Sequence, residues 1–168
     1  QRAGQTPLVV RQDADLTWVR DAGTGEEWSL PTGGLQMLLA PDGSRAVWWD
    51  ASGGWEHNDT LVNVHASDIY GRDVLEFPGL WGLDVQGWLS DKRRVLVVGR
   101  PARNRPVYAL MTIDTTTGEL RQLAKGSWLS DAALSTGGSY VAYVVSLDRD
   151  TPDNNGVWVG PTSAAAAR

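Results

Sequence analysis

The sequence contains no cysteine. Disulfides, thiolate nucleophiles and cysteine-ligated zinc are therefore excluded, while the redox compartment stays open, because a chain without thiols suits either. Long hydrophobic runs are also missing. The longest apolar stretches, such as Val95 to Val98 and Val141 to Val145, fall far short of the roughly 20 residues a membrane-spanning helix needs. No extended run of Lys and Arg occurs, and 15 basic against 20 acidic residues leave a net charge of -5. With no phosphate-tracking stripe, nucleic acid is not an expected partner. Only two histidines, His57 and His65, are available for metal or triad chemistry. A Gly-x-Ser-x-Gly elbow, a His-Glu-x-x-His pair, a Walker loop and a dinucleotide fingerprint are all absent, so neither a catalytic centre nor a cofactor is expected. Nothing selects a pair of carboxylates for hydrolysis either.

What the 168 residues do contain is a repeat. The turn glycines Gly25, Gly71 and Gly118 are 46 and 47 residues apart, two of them in Thr-Gly-Glu turns and the middle one in Tyr70-Gly71-Arg72. Leu30, Phe77 and Leu123 form a second column spaced by 47 and 46 residues, and Trp18, Val64, Met111 and Trp158 a third spaced by 46, 47 and 47. A polar turn entering an apolar run recurs as Pro41-Asp42-Gly43, Ser90-Asp91-Lys92 and Thr136-Gly137-Gly138, with spacings of 49 and 46. The identical tetrapeptides Trp88 to Asp91 and Trp128 to Asp131 are 40 residues apart, out of register with every column, and read as coincidence.

Each repeat holds four strand-like segments, a to d. In the second repeat they are Leu83 to Leu89, Arg94 to Val98, Val107 to Asp114 and Glu119 to Leu123. Strand b is apolar throughout in the second and third repeats, as a strand covered on both faces should be. Strand c of the first repeat alternates Val62 and Val64 with Asn63 and His65. Four strands in about 40 to 50 residues match a propeller blade better than a β-sandwich. The fold class is thus all-β, with blades of four antiparallel strands at a period of 46 to 49 residues and about three and a half blades over residues 1–160, followed by an Ala-rich tail over 161–168. The chain opens on Gln1 without a leader and reads as processed or excised. An open ring exposes edges and faces, so the expectation is that residues are missing, that two chains pair into a homodimer, or that the N-terminal strand completes a four-bladed ring.

Pro41-Asp42-Gly43 with its following apolar strand, then strand c and a Thr-Gly-Glu turn, resembles the WD40-like repeats of TolB type. That resemblance runs from about Leu16 to Val159, with degenerate turns at Ser90-Asp91-Lys92 and Thr136-Gly137-Gly138. Such repeats occur in binding proteins, in actinobacterial envelope lipoproteins and in the propellers of prolyl-oligopeptidase-like peptidases. Thirteen of the 15 basic residues are Arg, a bias similar to that of high-GC bacterial proteins. The resemblance implies an extracytoplasmic, non-catalytic module with a protein, peptide or small-ligand partner. Alternatively, it implies the gating propeller of a serine peptidase whose catalytic domain lies elsewhere.

The resemblance also implies that the b–c and d–a loops share one face. On it would lie Trp55, Glu56, His57 and Asp59 of the first b–c loop, Arg100, Arg103 and Arg105 of the second, and Asp148, Asp150 and Asp153 of the third. The d–a loops add Trp81 and Trp128, which are 47 residues apart. Trp and Arg together make a recognition surface, although packing between blades is the favoured reading for Trp81 and Trp128 and Trp55 is the better surface candidate. Asp148, Asp150 and Asp153 have a calcium-loop look, but their spacing of 1, 3, 6 departs from the EF-hand form, Pro152 interrupts it and Val159 stands where the bidentate Glu belongs. No metal is expected there. His65 reads as structural.

Overall fold

The structure is a computed structural model describing residues 8–13, 16–32, 36–49, 60–104, 107–146 and 151–163, with the backbone alone at 78, 130 and 131. Its strands in chain order are β1 Leu8–Gln12, β2 Thr17–Asp21, β3 Glu27–Leu30, β4 Gln36–Leu39, β5 Arg45–Trp49, β6 Leu61–Asp68, β7 Leu75–Trp88, β8 Arg94–Arg100, β9 Tyr108–Asp114, β10 Leu120–Gly126, β11 Trp128–Leu134, β12 Tyr140–Ser146 and β13 Gly156–Pro161. A 3₁₀ turn at Pro152–Asn154 is the one helical segment among the described residues. Every strand pair is antiparallel.

Strands β1-β2-β3 form a three-stranded sheet, β4 to β10 a seven-stranded one and β11-β12-β13 another of three. The seven-stranded sheet is two blades sharing one strand. Residues 75–81 of β7 pair with β6 as the fourth strand of one blade, and residues 81–88 pair with β8 as the first strand of the next. The sequence reading separated these two segments; the backbone runs through instead, with register shifts between Trp81 and Asp84 and between Val85 and Gly87. Gly82 and Gly87 adopt φ of 58 and 144 degrees, which lets a bulged strand turn from one blade plane into the next without a Cβ clash. The first sheet thus supplies strands b, c and d, the middle pair are complete blades, and the last sheet supplies a, b and c. Strand β1 pairs with β2 rather than with the last sheet.

Turn chemistry explains the period. At the end of each of the first three c strands an Asp carboxylate gathers the backbone of the turn that follows. Asp21 Oδ1 accepts from the Gly23 and Thr24 amides, Asp68 Oδ1 from Tyr70 and Arg72, and Asp114 Oδ1 from Thr116 and Thr117. Gly25, Gly71 and Gly118 close these turns at φ of 74, 75 and 79 degrees, the left-handed region open to glycine. Asp68 stands three residues before its glycine, whereas Asp21 and Asp114 stand four before theirs. That missing residue corrects the third sequence column. Aligned on the aspartates, the partner of Trp18, Met111 and Trp158 is His65, not Val64, because a one-residue slip exchanges the faces of a strand. Accordingly Val64 packs toward the following blade with Val47 and Phe77, while His65 stacks on Trp48 toward the preceding one, at 5.7 Å and 13 degrees.

Three apolar layers separate the sheets. Val19, Leu30, Ala46, Trp48 and Ile69 fill the first, Val47, Val64, Phe77, Val95, Val97 and Met111 lie in the second, and Leu96, Leu110, Leu123, Leu129 and Val141 in the third. The column Leu30, Phe77, Leu123 is buried in all three layers, at 1%, 2% and 9% exposure. Each fully buried side chain of this kind contributes about 1.5 to 3 kcal/mol.

Candidate functional site

Two ends of the sheet stack differ in chemistry. At one end lie the tight turns, and their charges are satisfied internally. Arg93 pairs with Asp114 at 2.5 Å and Arg94 with Asp91 at 2.5 Å, and together with Glu119 and Arg121 they line a 340 Å³ depression. Neighbouring blades are laced together here: Lys92 reaches Asp42 at 3.8 Å, and the Arg45 guanidinium donates to the Thr115 carbonyl and, at 3.1 Å, to its hydroxyl. Burial works to raise the Asp114 carboxyl, but hydrogen bonds from Arg93 and from the Thr116 and Thr117 turn outweigh it and hold the group well below the usual carboxylate range. Asp42 and Asp91 are lowered too: desolvation opposes the shift, while hydrogen bonds from Ser44 and from Arg94 carry it. Asp42, Asp91 and Asp114 thus serve to hold turns.

At the opposite end the β7 hand-over meets the β8–β9 loop. Trp81 is where β7 changes partners, standing opposite Leu61 on one side and Arg100 on the other. From the loop, Arg103 lies over the Trp81 ring at 5.1 Å, and its carbonyl accepts from Arg100 Nη1 at 3.0 Å. Arg100 in turn lies 5.7 Å from the Tyr108 ring, which packs against Trp128 at 5.2 Å and 60 degrees. Four residues nominated from the sequence, Trp81, Arg100, Arg103 and Trp128, thus fall in one continuous strip in which two guanidinium groups lie between aromatic rings. Stacking of this kind is worth about 0.5 to 1 kcal/mol per exposed pair and holds the long Arg side chains in defined positions.

Neither tryptophan is core. Trp81 is half-buried beneath Arg103, and Trp128 is 40% exposed. Their equivalence is real in space: they stand opposite Arg100 and Ser146, themselves 46 residues apart. Tyr108 was missed in the sequence because it matches no repeat column. Its one signal was its place as the first strand residue after the Arg-bearing loop. Trp55, Glu56, His57, Asp59, Arg105, Asp148 and Asp150 lie outside the described residues. Asp153 sits in the 3₁₀ turn, whose Asn154 side chain donates to Thr151 Oγ1 at 2.7 Å. Among the described residues no three His, Cys, Asp or Glu side chains converge as a metal site would require. No helix among them is long and apolar enough to cross a membrane.

No protein-family profile matches the sequence, and no curated protein matches it. Solved structures do resemble it in shape. An oligogalacturonate lyase in complex with manganese aligns with a TM-score of 0.58 and 18% identity over 90% of this chain and 42% of its own. The β-propeller domain of the Trilobed protease from Pyrococcus furiosus gives 0.56 and 13% over 82% and 43%. TolB from Acinetobacter baumannii gives 0.55 and 16% over 95% and 42%. The chain therefore spans less than half the length of each. With the chain's own period, four-stranded blades and face-to-face apolar layers, these likenesses establish the fold as that of a TolB-like β-propeller.

Proposed function

We propose that this chain is a non-catalytic binding module that recognises a protein, peptide or small ligand on its loop face, through the strip Trp81, Arg103, Arg100, Tyr108 and Trp128. The observation that carries this reading is the pre-ordered stacking of two guanidinium groups on aromatic rings beside a substantially exposed tryptophan. Trp and Arg supply large contact area and directed donors at low entropic cost, which is why they dominate binding hot spots. At the opposite face the carboxylates of Asp42, Asp91 and Asp114 are engaged in holding turns, which favours binding over catalysis there. An extracytoplasmic location accompanies this reading, on the strength of the resemblance to envelope propellers.

To test it, a partner captured on the immobilised chain is purified and its affinity measured by calorimetry against the native chain, Arg103→Ala and Trp128→Ala. Each variant is expected to weaken binding by about 1 to 3 kcal/mol while remaining folded, as an unchanged circular dichroism spectrum would verify. Equal affinity for all three would move the site off this strip.

A second reading is supported by the likeness to a protease's propeller domain: a gating propeller serving a serine peptidase domain. It predicts a nucleophile elbow, followed by Asp and His, in the complete reading frame. A full reading frame without that elbow removes it.

A further inference from the structure

Charge is unevenly spread along this chain. Between Asp91 and Asp114 stand six basic residues and no acidic one, in a sequence whose net charge is -5. Three of the six, Lys92, Arg93 and Arg94, lie at the tight-turn face, where Asp42, Asp114 and Asp91 pair with them. The other three are Arg100, Arg103 and Arg105. Of these, Arg100 ends β8 and Arg103 stands in the loop that follows, and each is braced by a ring, Arg103 over Trp81 and Arg100 beside Tyr108.

Strand spacing sets the length of the strip these groups form. Trp81, Arg100 and Tyr108 belong to the adjacent strands β7, β8 and β9, and neighbouring strands run about 4.8 Å apart. Trp128 of the next sheet adds the 5.2 Å between its ring and that of Tyr108. The whole is about 15 Å long, the reach of about four or five residues of extended chain. Its two ends differ in chemistry. At the first, Trp81 is covered by Arg103, itself exposed, so the surface offered is a cation. At the second, the half-open Trp128 ring beside the buried Tyr108 offers an apolar surface.

We propose, in a reading that rests on the binding function above, that the strip's partner is an acidic peptide. It lies extended, with its carboxylates on Arg103 and Arg100 and an apolar or aromatic side chain on Trp128. A guanidinium carries five donors in one plane, so it serves an internal partner and a carboxylate together. A ring behind it fixes the plane in which a bidentate pair with a carboxylate forms. Arg100 is fixed further by its Nη1 bond to the Arg103 carbonyl. Nucleic acid would need a continuous basic track, whereas here the two guanidinium groups give way to an exposed Trp and the chain as a whole is acidic.

The probe is a library of random heptapeptides displayed on phage, selected on the immobilised native chain and counter-selected on Trp128→Ala. The retained sequences are expected to carry Asp or Glu beside an aromatic or large aliphatic residue. The best of them, synthesised and titrated by calorimetry, should lose about tenfold or more in affinity when its Asp and Glu are replaced by Asn and Gln, and likewise against Arg103→Ala. Arg103→Lys keeps the charge without the planar fork and should lose severalfold. Added salt should weaken the native complex and leave the Asn- and Gln-substituted peptide little changed. Arg103 and Trp128 are both exposed, so the variants are expected to fold, which an unchanged circular dichroism spectrum would verify. Binders that depend on Trp128 but are neutral or basic, or that keep their affinity after the Asn and Gln replacement, would overturn the acidic partner while leaving the strip as a binding site. A selection yielding no binder sensitive to Trp128→Ala or Arg103→Ala would overturn both.

Discussion

At the scale of single residues, the sharpest constraints come from two adjacent glycines. A Cβ on Gly138 would fall 2.7 Å from the Ser90 amide nitrogen and 2.7 Å from the Trp88 carbonyl oxygen, at a φ of 69 degrees, while one on Gly137 would meet nothing within 4 Å. Gly138→Ala is therefore expected to destabilise by about 2 to 4 kcal/mol and Gly137→Ala to change stability by less than about 1 kcal/mol, measured by urea denaturation. Asp114 supplies a pH-dependent test. Its folded-state value lies below its unfolded value of 3.8, so its contribution to stability is present above that pH and is lost as pH falls toward the depressed folded value. Asp114→Ala should accordingly lose about 1 to 3 kcal/mol at neutral pH and show a shallower decline of stability below pH 4 than the native chain, by acid titration of the unfolding midpoint. The Arg93 guanidinium, pushed up by its hydrogen bond to Asp114, has no counterpart in this range, because it stays charged throughout.

At the scale of elements, the repeat offers internal controls. Leu110 and Val157 occupy equivalent c-strand positions, yet Leu110 is 0% exposed beneath the last sheet and Val157 is 74% exposed. Leu110→Ala is expected to cost about 2 to 5 kcal/mol, whereas Val157→Ala should fall within about 0.5 kcal/mol of neutral, both by thermal or chemical denaturation. An equal cost at both sites would mean that the face bearing Val157 is covered in solution. The same alignment shows where sequence reading failed. Counting from glycine to glycine put Val64 in the column of Trp18 and Met111, and only the Asp68 hydrogen bonds reveal that this turn is one residue short. Hydrophobicity could not decide, since Val64 is the apolar member of the pair and His65 gains its place by stacking on Trp48.

For the whole molecule, stacked sheets that contact only their neighbours should differ in local stability. Strands β8 and β9 have apolar layers on both sides, while β13 has one open edge and exposed side chains. Native-state hydrogen exchange should therefore be slowest in β8 and β9 and fastest in β13. Uniform exchange across all sheets would show that the stack unfolds as one unit.

The sequence by itself determined the class of fold. Its period, its Asp- and Gly-anchored turns and the column Leu30, Phe77, Leu123 are local or repeated signals, and four short strands per period leave few other ways to bury both faces of each sheet. Through its resemblance to TolB-type repeats it also implied a common face for Trp81, Trp128, Arg100 and Arg103. Only the tertiary structure decided that these four meet, that Tyr108 joins them and that β7 serves two blades. Those facts depend on where a bulged strand changes plane, a geometry set by Gly82 and Gly87 together with the packing on either side, and no spacing along the chain encodes it.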